Sequence, residues 1–182
     1  MKDPSILAET QRLILRSWQP DRDAMHALSI YGDPEVTRFL MTKITTLSEA
    51  WQVLDRWNQK AAQWGQGCGF WAIQLKADST LIGTGILIPL RDAQDQPTSQ
   101  FEVGWHLKRS AWGCGYATEA ARALLHYGFE QLRLPTIFAV ANPDNTASLR
   151  VMQRLHMQFI GNTTLYYQTE LALYKLDRCL VY

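Results

Sequence analysis

The run Gln100–Ala121, QFEVGWHLKRSAWGCGYATEAA, constrains this chain more than any other segment. Gln100–Lys108 reads as a strand, with Gly104 placed for a bulge. A loop carrying Gly113 and Gly115 follows, and a helix begins near Tyr116. That helix shows one continuous small and apolar stripe: Ala117, Ala120, Ala121, Leu124, Leu125, Gly128 and Leu132. A strand feeding a glycine loop and then a small-faced helix belongs in a layered α/β architecture. The junction also exposes unpaired backbone N–H groups at the positive end of a helix. Glycines let an anion approach that backbone, so the segment suits a phosphate. The same glycine pair equally serves a purely structural turn.

The flanking segments fill in the architecture. Thr10–Arg16 reads as a first strand with Leu13 and Leu15 on one face. Pro20-Asp21 opens a helix to about Tyr31, and Asp33-Pro34 starts a short second one toward Leu40. Thr46 and Glu49 stand at capping-box spacing ahead of Trp51, Leu54, Trp57, Ala61 and Trp64, a helical stripe best read as core. Phe70–Leu75 and Leu81–Leu90 are strands, the second with Ile82, Thr84, Ile86 and Ile88 on one face. Asp92–Gln100 is turn-like. After the central helix come a strand at Thr136–Ala141, a helix from Thr146 to Leu155, and strands near Gln158–Gly161 and Tyr166–Lys175. The order β-α-α-α-β-β-β-α-β-α-β-β predicts an α/β (α+β) fold: a mixed, mostly antiparallel sheet of about seven strands flanked by helices. At 182 residues, without linker or repeat, the chain reads as a single domain over residues 1–182.

Charge and motif searches narrow the ligand. Eighteen Lys and Arg against 17 Asp and Glu argue against a basic nucleic-acid face or a polybasic membrane anchor. The longest apolar stretch, Leu81–Leu90, is too short to span a bilayer. Three cysteines (Cys68, Cys114, Cys179) make an odd count without paired spacing, which points to a reducing, cytoplasmic setting. The histidines show no short metal-ligand spacing, so no metal is expected. Thr118 stands where a dinucleotide fingerprint starting at Gly113 needs Gly or Ala, and no P-loop or nucleophile-elbow motif occurs. A pyrophosphate held by backbone amides without metal fits what is left.

The run Trp112–Ala120, WGCGYATEA, resembles the acetyl-CoA pyrophosphate loop of the GNAT superfamily N-acetyltransferases. More narrowly it is similar to the ribosomal-protein N-terminal acetyltransferase (RimJ/RimL-like) branch. The superfamily pattern is [QR]-x-x-G-x-[GA]; Trp112 replaces the first residue, while Gly115 and Ala117 fill the other two places. Thr10–Trp18, Asp33–Leu40 and the run Asn145-Thr146-Ala147-Ser148 with Val151 and Leu155 extend the resemblance over nearly the whole chain.

The resemblance implies an acyltransferase moving acetyl from acetyl-CoA to a primary amine by direct transfer, the amine belonging to a protein N-terminus or a small molecule. It implies that Trp105, His106 and Leu107 pair with the pantetheine arm. The amides of Gly113, Cys114, Gly115, Tyr116, Ala117 and Thr118 would hold the pyrophosphate, and Asn145 the CoA arm. The superfamily's usual thiolate acid, a Tyr seven residues after that Asn, is here Met152, so Ser148 is the candidate acid. Glu102 is the candidate base; a solvated cross-strand role is its alternative. Glu119, Arg122, His126 and Glu130 read as a solvated helix face with i,i+3 pairs. His156 reads as a C-cap residue with positive φ. The acceptor wall is expected from Pro20–Leu40, the Asp92–Gln100 loop and the last hairpin near Tyr166 and Tyr167. Nucleic acid and membrane are not expected partners, and the chain reads as monomer or homodimer. Met152 keeps a second reading open: an inactive GNAT-like module that binds acyl-CoA as a sensor.

Overall fold

The structure is a computed structural model that describes residues 5–65 and 67–178; Cys179 lies outside them. Eight strands form one sheet: β1 (Ile6–Glu9), β2 (Leu13–Ser17), β3 (Gly69–Leu75), β4 (Leu81–Arg91), β5 (Pro97–Leu107), β6 (Thr136–Ala141), β7 (Gln158–Thr163) and β8 (Leu171–Asp177). Their spatial order is β1-β2-β3-β4-β5-β6-β8-β7. Every neighbouring pair is antiparallel except β5 and β6, which run parallel. The helices are α1 (Pro20–Tyr31), α2 (Pro34–Thr37), α3 (Leu47–Trp64), α4 (Tyr116–Glu130) and α5 (Thr146–Arg154). This is the expected mixed, mostly antiparallel sheet with flanking helices, and α4 is the crossover that makes β5 and β6 parallel.

Local chemistry places the helices. Pro20 stands at the start of α1 and Pro34 at the start of α2, where a missing N–H is harmless. Thr46 and Glu49 form both bonds of a capping box at α3. Asn145 caps α5 by accepting from the Ser148 N–H at 3.2 Å. His156 takes a positive φ of 58°, and the Met157 N–H reaches back to the Met152 carbonyl at 3.1 Å, closing the end of α5.

Two apolar layers sandwich the sheet. On one face α4 and α5 bury Leu124, Leu125, Phe129, Val151 and Met152 against Leu87, Val103, Leu107 and Ile137. On the other, α1 and α3 bury Ala27, Ile30, Tyr31, Leu54 and Trp57 against Trp18 and Ala72. Trp57 stacks on Phe70 with ring centroids 4.7 Å apart, which confirms the core reading for the middle of the tryptophan stripe. Trp51 departs from it: it is 41% exposed and donates to Asp21 at 2.8 Å.

Four sequence expectations are corrected. The sheet has eight strands rather than about seven, because Ile6–Glu9 forms a short edge strand whose four residues carry too little pattern to read. The last strand starts at Leu171, not Tyr166; Tyr167 and Gln168 take positive φ (54° and 55°), a turn that the apolar composition masks. Gly104 is no bulge: it pairs in register with Ile86, and the irregularity lies between Pro89 and Arg91. Finally, Asp92–Gln100 is turn only over residues 92–96, since β5 already begins at Pro97; the partner strand Leu81–Leu90 is buried on both faces, with helices on both sides of the sheet.

Candidate functional site

The site arises where two parallel strands part. β5 and β6 pair at Phe101↔Ile137 and Glu102↔Phe138. Beyond that, among the described residues, Val103–Leu107 has a ladder partner only in β4, and Ala139–Ala141 only in β8. A wedge therefore opens at the carboxyl ends of both strands. There the chain leaves β5 for α4 and leaves β6 for α5, so two helix N-termini converge on it. Ligands of α/β sheets lodge at such divergences, outside the carboxyl ends of strands.

One wall of the wedge is the loop into α4. Gly113 and Gly115 take φ of 74° and 82°, a left-handed region that side chains disfavour. No side chain caps α4 at Gly115, so the first-turn amides keep their partial positive charge for a ligand. The Thr118 hydroxyl in that turn is buried without a hydrogen-bond partner among the described residues. Trp112 donates its indole N–H to the Leu107 carbonyl at 2.8 Å, tying the loop to the end of β5.

The other side of β5 is a different surface. Strand alternation puts Glu102, Gly104 and His106 on one face, with Gly104, set against the Ile86 side chain, between the two titratable residues. Glu102 is only 8% exposed and accepts a hydrogen bond from the Tyr167 hydroxyl. Burial pushes its carboxyl up to about 7, against a smaller lowering by the Tyr167 bond. His106 bonds through Nδ1 with the Tyr31 hydroxyl at 3.1 Å, and Tyr31 bonds with Thr84 at 2.6 Å. Desolvation holds His106 down to about 4, so it is neutral at pH 7. A groove of about 530 Å³ opens beside this face between the β4–β5 turn and the loop before β8, lined by Asp92, Thr98, Gln100, Leu165 and Tyr166. Tyr166 donates to Gln100 at 2.8 Å across it.

The family model for the acetyltransferase (GNAT) domain matches residues 12–158. This chain belongs to the GNAT acetyltransferases. It is 34% identical over 153 residues to the uncharacterized N-acetyltransferase p20 of Bacillus licheniformis, covering 84% of this chain and 82% of the relative. Its fold is shared with a GNAT-family acetyltransferase from Bacillus anthracis, with TM-score 0.75, 23% identity and coverage of 95% and 98%. The fold is also that of RimL, a ribosomal L7/L12 alpha-N-protein acetyltransferase solved in complex with coenzyme A, with TM-score 0.77, 16% identity and coverage of 94% and 97%.

In this GNAT acyltransferase the expected site residues fall into three groups. Gly113, Cys114, Gly115, Tyr116, Ala117 and Thr118 form the loop and first turn of α4 on one wall. Trp105, His106 and Leu107 end β5 at the wedge, and Asn145 and Ser148 start α5 beyond the end of β6. Their chemistry fits the acetyl-CoA that GNAT enzymes use: uncapped amides and an orphaned hydroxyl suit a diphosphate. Asn145 spends Oδ1 on its own helix, which leaves its Nδ2 donors without a protein partner among the described residues. Among the described residues, Ser148 makes a side-chain hydrogen bond through its N–H, to Asn145, and none through its hydroxyl. Met152 is 1% exposed and packs in the core. Its thioether has no proton to donate.

The solvated-face reading fails for Glu119. Its side chain is 18% exposed and is held by Thr10 and Arg12 from the turn between β1 and β2. Arg122 does not pair with it at i,i+3 but donates to the Arg154 carbonyl at 3.4 Å, and Glu130 pairs with Arg133, beyond the end of α4, at 4.0 Å. Sequence reading also passed over Tyr31 and Thr84, whose link to His106 spans three separate elements. Among the described residues, no helix is long and apolar enough to cross a membrane, and no three His, Cys, Asp or Glu side chains cluster as metal ligands would.

Proposed function

We propose that this chain is a single-domain, acetyl-CoA-dependent N-acetyltransferase of the RimJ/RimL-like branch, acting on a primary amine of a peptide N-terminus or a small molecule. The observation that carries the reading is the buried Glu102 carboxylate, poised near neutrality beside the parting of β5 and β6. Acetyl-CoA, when bound, supplies the activated acetyl group. The amides of Gly113–Thr118 would hold its pyrophosphate, the main chain of Trp105–Leu107 its pantetheine arm, and Asn145 its flank.

The acceptor amine would enter from the face of β5 that carries Glu102, Gly104 and His106. Two groups there can handle its proton, each two residues and about 7 Å along the strand from Gly104. Their ordinary acidities would favour His106, but their surroundings reverse the order. A carboxylate with pKa about 7 accepts a proton from an ammonium far more readily than an imidazole held near 4. Glu102 is therefore the general base, directly or through one water. His106 stays neutral and orients the acceptor. Ser148 would give a proton to the departing thiolate.

Glu102→Gln tests this. Turnover with an amine and peptide panel should fall at least 100-fold. The rising acidic limb of kcat/KM, centred near pH 7 in the native enzyme, should vanish with it. Full activity in the variant would remove Glu102 from the chemistry. Met152 supports a second reading, an acyl-CoA-binding module without turnover; CoA binding with no product from any amine would select it.

A further inference from the structure

The GNAT loop is braced from outside by a hairpin tip far away in sequence. Thr10 and Arg12 lie in the turn between β1 and β2, and both close on the first turn of α4. The Thr10 hydroxyl and the Arg12 N–H donate to Glu119 Oε1 at 2.6 and 2.9 Å. The Arg12 guanidinium grips Oε2 through Nε at 2.7 Å and Nη2 at 2.6 Å. Its remaining nitrogen, Nη1, donates to the Cys114 carbonyl at 3.1 Å, and its plane lies over the Tyr116 ring, 4.4 Å from the centroid. One guanidinium thus touches the loop, the first residue of the helix and the carboxylate one turn further on.

Each contact serves an anion site. For loop amides to face a phosphate, an intervening carbonyl must turn away, and Arg12 anchors that of Cys114 on the outer side. A carboxylate near a helix N-terminus stabilises the helix but also repels an anion bound there. Arg12 compensates that charge. Burial by itself raises the Glu119 carboxyl, yet the bonds from Thr10 and Arg12 with the Arg12 charge outweigh it and hold it below the usual range.

We propose that Arg12 and Glu119 are positioning residues that hold Gly113–Gly115 and the start of α4 in the anion-accepting shape, so that affinity for the CoA diphosphate depends on the β1–β2 turn. The proposal rests on the acetyl-CoA reading of this loop. It assigns Arg12 to ligand affinity and not to the chemical step, and it requires the guanidinium fork, which a lysine lacks.

Calorimetric titration of coenzyme A into the full chain, with steady-state kinetics for acetyl-CoA, tests it. Arg12→Ala should weaken CoA binding at least 20-fold and raise the KM for acetyl-CoA similarly, with kcat at saturation within twofold of native. Arg12→Lys should lose at least fivefold. Glu119→Gln in the Arg12→Ala background should recover part of the affinity, because it removes the uncompensated charge; a purely structural brace would be weakened further by that second change. CoA affinity within twofold of native in Arg12→Ala, or in Arg12→Lys should the alanine variant not fold, overturns the proposal alone. Absence of CoA binding by the native chain overturns the cofactor reading, and this proposal with it.

Discussion

Glu102 and His106 share one strand face yet titrate in opposite senses, because both are desolvated and only one is charged when deprotonated. The stability consequence for Glu102 has a definite sign. Its folded pKa, about 7, stands above the ordinary 4.5, so the folded state prefers the protonated form. The associated penalty is absent below pH 4.5, grows as pH rises to 7 and is constant above. At about 1.36 kcal/mol per pH unit it reaches roughly 3 kcal/mol. Glu102→Gln, which still accepts from Tyr167, should be more stable than native by about that amount at pH 8 and equal at pH 4 in urea unfolding. An unchanged difference between the two pH values would show that the carboxyl is not buried in solution. Tyr31→Phe removes the hydroxyl that serves Thr84, itself 0% exposed. Leaving that hydroxyl unpaired should lower stability by about 2 kcal/mol, and a change under 0.5 kcal/mol would mean that water takes the place of Tyr31.

At the scale of elements, β4 and β5 approach so closely that a Cβ at Gly83 would stand 2.1 Å from the His106 carbonyl oxygen and 2.6 Å from Leu107 Cδ2. Gly83→Ala must push β5 aside at the very residues expected to hold the pantetheine arm. It should destabilise the fold by about 3 kcal/mol and weaken CoA binding together, read by thermal unfolding and titration on the same sample. Normal CoA affinity in a destabilised variant would place the arm elsewhere. Elements were legible from sequence wherever the signal is local. The capping box Thr46–Glu49, Pro20 at α1, the start of α5 at Thr146 and the positive φ of His156 all depend on residues within a turn of one another. The loop before β8 was not, because Tyr166 and Tyr167 look like strand residues; tertiary contacts with Gln100 and Glu102 hold them in a turn instead.

For the molecule as a whole, a ligand bound to the folded chain in the wedge between β5 and β6 would make binding and stability one quantity. Coenzyme A or acetyl-CoA at 100 times its dissociation constant should add about 2.7 kcal/mol, a rise of roughly 5–10 °C in melting temperature for a chain this size. NAD or ATP at the same concentration should not reproduce it. Equal shifts with all of them would reduce the loop to a generic phosphate site. The order of elements after β1, the glycine loop and its GNAT resemblance were determined by sequence, since periodicity, caps and a contiguous motif are short-range properties of the chain. The parting of β5 from β6, the burial that raises Glu102, the Tyr31–Thr84 link to His106 and the grip of Arg12 on Glu119 were decided only by the tertiary structure. Each joins residues tens of positions apart, and the forces involved, desolvation and paired charge, depend on what surrounds a side chain and not on its neighbours in sequence.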